Sequence, residues 1–215
     1  MVMILLQGDL GTTVTLIPVF VAMAFVCGVK RKVVIAAALI AVLVLPLMWG
    51  LLKDYQKDRI LNFINPEKVP LTVGYQSLQS KIAIGSGQLF GKGIRQGSQS
   101  QLGFIPYRHT DFIFAVISEE AGFAGALVVL LLYVILFFRI FEGASSARDR
   151  LGILICVGVL ALLFFHVAMN IGMVVGLLPI AGLPLPLLSY GGSSLLSTFL
   201  ALGLVLNVKL RRYAN

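Results

Sequence analysis

Charge is what this sequence has least of. Only 12% of its 215 residues are Asp, Glu, Lys or Arg, against 59% hydrophobic, and the mean hydropathy is +0.98. A soluble domain carries about 25% charged residues. A chain this short leaves much of its surface exposed however it folds, so a water-facing fold cannot hide this much apolar side chain. A soluble globule is excluded, and lipid is the solvent that fits. Cysteine is as scarce. Cys27 and Cys156 both lie inside apolar runs, so they read as buried thiols with no disulfide framework or metal spacing. No basic helix with interleaved aromatics occurs, so the net charge of +8 is not a nucleic-acid footprint. No basic start or small-residue cleavage site marks residues 1–6 as a signal peptide. That stub reads as the end of a helix whose beginning is missing, as in the C-terminal part of a larger protein.

Long apolar runs are what is present. A spanning helix needs about 20 mostly apolar residues. Five runs qualify, at about 10–27, 33–52, 112–138, 151–171 and 193–208. The expected fold is all-α, one polytopic membrane bundle over residues 1–215. Lys30, Arg31 and Lys32 join the first two runs; Arg139, Arg148 and Arg150 join the third and fourth; Lys209, Arg211 and Arg212 follow the fifth. Alternation of five spans puts all three groups on one side, which the positive-inside rule makes cytoplasmic. The long loop 53–111 and the stretch 172–192 then face outward. That loop also carries eight basic residues, against Asp54, Asp58, Glu67 and Asp111. Long loops translocate largely regardless of charge, so the orientation stands. The external positive charge suits either an anionic ligand or anionic lipid headgroups.

Four places hold candidate chemistry. The loop's glycines, from Gly85 to Gly93, permit tight turns and close backbone approach to a ligand. Tyr75, Leu78 and Ile82 share one side of a short helix able to lie on the membrane with an apolar face; a ligand-free surface loop is the plain alternative. Next, Asp111 stands where the polar loop enters the bilayer. A carboxylate there is costly unless solvated, paired or metal-bound, which makes it a general-base candidate. A first-turn or capping Asp is the alternative. On a helix continuous from Asp111, Glu119 turns roughly 80° away and Glu120 roughly 180°. Glu119 then shares the face of Asp111, and Glu120 reads as an interhelical contact. Third, His166 and Asn170 form an i, i+4 pair that can hydrogen-bond across helices, with a proton relay as the sharper option. Last, Pro179, Pro184, Pro186 and repeated glycines break any helix through 172–192. Non-helical backbone at that depth must be buried in protein or line a wet cavity. A re-entrant loop at a cavity mouth is expected, or else a structural kink.

Residues 170–194 resemble, position by position, the signature of the SEDS family (shape, elongation, division and sporulation), which includes RodA, FtsW and SpoVE. His109-Thr110-Asp111-Phe112-Ile113-Phe114-Ala115, Glu119-Glu120, Gln79-Ser80 with the glycines after them, and Gln7-Gly8-Asp9-Leu10-Gly11-Thr12 are similar to it as well. Ser98-Gln99-Ser100-Gln101-Leu102 and Arg108 look more like RodA than FtsW. The resemblance implies a peptidoglycan glycosyltransferase that polymerises lipid II outside the bacterial cytoplasmic membrane, in cell elongation and shape maintenance. It implies a class B penicillin-binding protein as crosslinking partner. The family's essential external aspartate maps onto Asp111, which would take the acceptor proton or hold a divalent cation such as Mg or Mn, with no organic cofactor. Lys81, Lys92, Arg95 and Arg108 would offset leaving-group charge. Gln79, Ser80, His109, Ser189, Gly191, Gly192 and Ser193 would complete the substrate site, with Glu119 as supporting acid. Two departures stand out: Gly8 replaces a usual Pro, and Gln88 a usual Gly. Members also carry about twice as many spans. A lipid II flippase and an inactive scaffold fragment are the rival expectations.

Overall fold

The computed structural model describes residues 10–30, 32, 33, 35, 36, 57, 61, 63 and 73–211. The expected span at 33–52 lies almost wholly outside these residues, as does Gln7-Gly8-Asp9. All regular structure among them is helical: α1 Leu10–Val26, α2 Val73–Gly87, α3 Ser98–Gln101, α4 Ile113–Ser145, α5 Arg150–Val175 and α6 Gly192–Arg211. Helices α4, α5 and α6, of 33, 26 and 20 residues, are long and apolar enough to cross a membrane. Helix α1 is apolar but has 17 residues. The chain is therefore a multi-pass membrane protein.

The hydropathy runs locate these helices, but local chemistry sets their ends. Helix α4 runs on past its apolar stretch because nothing stops it before Ser146, and Arg139 and Glu142 pair along its last turns at 3.3 Å. Asp149 caps α5 by accepting from the Gly152 N–H at 3.2 Å. Gly176, at φ 82°, ends α5 in the left-handed conformation that glycine adopts freely. Cys27 corrects the expectation of two buried thiols. It falls in the turn after α1 and is exposed, whereas Cys156 is buried.

Helices α4 and α5 form the central pair. Helix α1 leans on α5, α2 packs against both central helices, and α6 closes against both from another side. One apolar cluster, around Phe112, Phe114, Tyr133, Val174 and Leu185, lies at the end where α4 begins. A second, around Ile140, Cys156, Leu163 and Val205, lies toward the opposite end.

Helix α2 forms within the long loop where a short helix was expected, and its apolar stripe faces away from the bundle. Leu78 and Ile82 are exposed, while Ser80 and Ala83 are fully buried. Small residues win the interface because they let backbones approach. A Cβ on Gly87 would lie 1.9 Å from the Ser118 carbonyl oxygen.

Helix α4 is two helices joined at Gly122 (φ 68°, ψ −163°). The segment 88–93 mends this break. Phe123 and Ala124 donate to the Gln88 and Leu89 carbonyls at 2.8 and 3.0 Å, and Lys92 and Gly93 donate to the Glu119 and Glu120 carbonyls at 3.0 Å each. Every contact is backbone to backbone, so the groups freed by the kink are satisfied without side chains.

Candidate active site

The site is a rim, built where the long loop turns into α4. Thr110, Asp111 and Phe112 all direct their N–H groups at the Tyr107 carbonyl, at 3.1, 3.2 and 3.4 Å. Phe112 is the N-cap of α4, and no acidic residue occupies its first turn. Asp111 is thus not the helix cap. It stands one residue ahead of it, half-buried.

Three successive carbonyls of this turn are tied to α5 or to the segment after it. Tyr190 donates its N–H to the His109 carbonyl at 2.8 Å. The Ser189 hydroxyl donates to the Thr110 carbonyl. Asn170 donates its amide to the Asp111 carbonyl at 2.8 Å and to the Leu183 carbonyl at 2.7 Å. Asn170 is fully buried.

The irregular segment is held by the same device. After Gly176 the chain stays non-helical until α6. Pro184 and Pro186 have no N–H to satisfy. The carbonyls of 183–186 all find donors: Asn170 for Leu183, His166 for Pro184, the N–H groups of Leu188 and Ser189 for Leu185, and the Tyr133 hydroxyl for Pro186. The Leu185 N–H donates to the Ser189 hydroxyl at 2.7 Å. This is how non-helical backbone persists at membrane depth. It also gives His166 and Asn170 partners outside their own helix, on non-helical backbone and not across helices as their spacing offered. Tyr133 gave no such signal, being one more aromatic in an apolar run.

The segment walls an open cleft of about 620 Å³ lined by His109, Ile113, Leu187 to Gly192 and Leu195. Leu187 holds φ 67° in this wall, a strained conformation for a branched residue. Ser189, Gly191, Gly192 and His109, expected at the substrate site, come together here. Ser193 is exposed in the first turn of α6.

The remaining expected residues form a second cluster. The Glu119 carboxylate is fully buried. It accepts from the Lys92 ammonium at 2.9 Å and from the Gln99 and Ser100 N–H groups at 2.9 Å each. Gly97 leaves it room: a Cβ there would stand 2.6 Å from a Glu119 carboxylate oxygen. Glu119 therefore latches the 92–100 loop to α4. Arg108 joins this latch to the rim, donating to the Ser100 carbonyl and to His109 Nε2 at 3.0 Å. Arg95 is exposed.

Ser80, expected in the substrate set, is instead a packing residue. It is fully buried, and its hydroxyl donates to the Val174 carbonyl at 2.9 Å, near the end of α5. Lys81 lies over Gly176, its ammonium 2.4 Å from where a Cβ there would be, a favourable place for a cation beside a helix C-terminus. The Gln79 amide oxygen is buried with no hydrogen-bond partner. Among the described residues no three of His, Cys, Asp and Glu gather. Protein ligands there do not enclose a metal ion. Asp111 fits only the mode in which one carboxylate shares a hard cation with substrate phosphates.

The chain matches the family of FtsW, RodA and SpoVE, described as cell cycle protein, over residues 1–214. It is 43% identical to peptidoglycan glycosyltransferase MrdB of Escherichia coli K12 over 207 residues, covering 96% of this chain and 56% of that one. It is 47% identical to peptidoglycan glycosyltransferase RodA of Treponema pallidum over 161 residues, covering 75% of this chain and 37% of that one. It is 40% identical to stage V sporulation protein E of Bacillus subtilis over 214 residues, covering 99% and 57%. A chain in a solved peptidoglycan synthase complex, described as coordinating polymerization and crosslinking, superposes with a TM-score of 0.78. That likeness has 36% identity and covers 99% of this chain and 59% of that one. The chain thus spans about half the length of the curated relatives MrdB and SpoVE.

Proposed function

The chain belongs to the FtsW, RodA and SpoVE family of cell cycle proteins, and from that premise we propose that it provides the catalytic rim of a RodA-type peptidoglycan glycosyltransferase. The substrate is lipid II, and the biological setting is cell elongation and shape maintenance. The reaction is attack by a sugar hydroxyl on an anomeric carbon, with the lipid pyrophosphate leaving. Asp111 takes the proton of the attacking hydroxyl. The observation that carries this reading is the fixing of Asp111: its own carbonyl and the two before it are each held by a donor from α5 or the segment after it. A base held in place before substrate arrives is what general-base catalysis needs.

The leaving pyrophosphate needs fixed positive charge. Arg108 supplies it, held by hydrogen bonds to the Ser100 carbonyl and His109, while the Lys92 ammonium is paired with the buried Glu119 carboxylate and adds little net charge. Arg95 adds exposed charge, and Lys81 reinforces the same side. His109, Ser189, Gly191 and Gly192 contact the sugar and phosphate groups from the cleft, with Ser193 next to it at the start of α6 and Gln79 a further substrate contact from α2. Were a divalent cation bound, Asp111 would supply its one carboxylate, and the ion would offset pyrophosphate charge. The rim faces outward and the C-terminus lies in the cytoplasm. The gathering of Arg148, Arg211 and Lys209 at the other ends of the spanning helices supports this orientation. The likeness to a chain of a peptidoglycan synthase complex supports a class B penicillin-binding protein as partner.

The test is glycan synthesis from purified lipid II by the protein as the cell makes it. Asp111→Asn should lower the rate by about 10²–10⁴-fold with the thermal transition unchanged. Undiminished strands from the Asn variant would remove Asp111 from the chemistry. Transport of lipid II without any glycan product would favour a flippase.

A further inference from the structure

The geometry points to a second binding site, for an anionic phospholipid, at the end of the bundle opposite Asp111. A cavity of about 370 Å³ opens there between the start of α5 and the end of α6. Its rim carries Arg148, Arg211, Asp149 and Asn207, and its floor is Leu151, Ile155, Leu204 and Val208. The two halves ask for one kind of ligand. A guanidinium pair recognises a phosphate through directed, charge-assisted hydrogen bonds. An apolar floor asks for hydrocarbon. Leu151 and Leu204 are 64% and 52% exposed, so the floor continues onto the lipid-facing surface of the helices. A free phosphate would use the rim and leave the floor empty; a lipid uses both.

Neighbouring charges fit the assignment. Glu142 is engaged by Arg139 at 3.3 Å and by Lys209 at 3.1 Å, so it is spoken for outside the cavity. Asp149 shares the rim and accepts from the Gly152 N–H, so among the described residues two guanidinium groups face one carboxylate in the cavity lining. Basic pockets between spanning helices on the cytoplasmic side hold anionic headgroups, and this is the side proposed to face the cytoplasm. The site does not depend on the chemistry proposed for Asp111. Its effect would be to anchor the α5–α6 pair to the inner leaflet, and so to hold the packing of α6 against α5.

Native mass spectrometry of the detergent-solubilised protein tests this, with phosphatidylglycerol, phosphatidylcholine and inorganic phosphate as separate probes. The wild type should retain phosphatidylglycerol over phosphatidylcholine. Arg148→Gln with Arg211→Gln should weaken retention about thirtyfold. A charge-matched control, Arg139→Gln with Arg150→Gln, removes two cations that do not line the cavity and should keep the preference. Leu204→Trp keeps every charge, fills the floor and should lose the lipid too, so the proposal survives a double variant that does not fold. Equal retention of the two lipids, equal loss in the double variant and its control, or displacement of the lipid by millimolar phosphate would each overturn the assignment.

Discussion

The bundle is broken twice, and the two breaks are mended differently. At Gly122 the freed backbone groups of α4 pair with the backbone of 88–93. In the segment after α5 the freed carbonyls pair mostly with side chains: Asn170, His166 and Tyr133. A backbone mend is indifferent to side-chain identity but intolerant of bulk, which is why glycines crowd it. A side-chain mend depends on particular residues, and those residues can be shared with another task. Asn170 is shared in this way, because the amide that holds Leu183 also holds Asp111. The first break is architecture; the second also holds the backbone of the candidate base.

Substitutions that separate the two mends sharpen this contrast, and the largest stability change belongs to the first. In Gly122→Ala the new Cβ would meet the Gly91 nitrogen at 2.3 Å at a positive φ. It should destabilise the protein by about 3 kcal/mol, seen as a lowered thermal transition in detergent. A transition matching the wild type would mean the close approach of 88–93 is not needed. Next comes Asn170→Ala, which leaves two carbonyls without their donor. It should remove about 2 kcal/mol of stability and lower glycan synthesis about a hundredfold by loosening Asp111. The loss should fall on kcat, with KM for lipid II kept. A loss confined to KM would mean Asn170 serves the cleft and not the base. His166→Ala removes a single donor, to Pro184. About 1 kcal/mol should go with activity near wild type, because His166 does not touch the Asp111 turn. The smallest effect has the opposite sign. Gln88 holds φ 49°, a conformation unfavourable for any side chain. Gln88→Gly should raise stability by about 0.5–1 kcal/mol; a lower thermal transition would show that the Gln side chain contributes more than its backbone strain costs.

Much of this was legible in the sequence. Spanning helices announce themselves because lipid demands long apolar runs, so α4, α5 and α6 fall where hydropathy puts them. The rupture after α5 was legible too, from Pro184, Pro186 and the glycines around them. His166 and Asn170 stood out because polar groups in an apolar run need partners. The kink at Gly122 was not legible. One glycine in an apolar helix is unremarkable, and its partner segment lies some thirty residues away in a loop. The latch at Glu119 was hidden for the same reason: its partners, Lys92, Gln99 and Ser100, are non-local. The apolar stripe of α2 was legible as a surface-facing one, but that Ser80 and Ala83 would pack against the bundle was not, because small residues give no hydropathy signal. Ser80, given a substrate role by the resemblance alone, lies on the face that packs on α5.

The three carbonyl ties of the rim leave Asp111 little freedom. With its main chain fixed on successive peptide planes, the carboxylate is confined to the short reach of its own side chain. Ordering a loop takes roughly 1–2 kcal/mol per residue, and here that entropy is surrendered when the chain folds, before any sugar arrives. On the proposed reaction, turnover would then not wait for this turn to order, and arrival of donor and acceptor or departure of the lengthened strand would be the slow event.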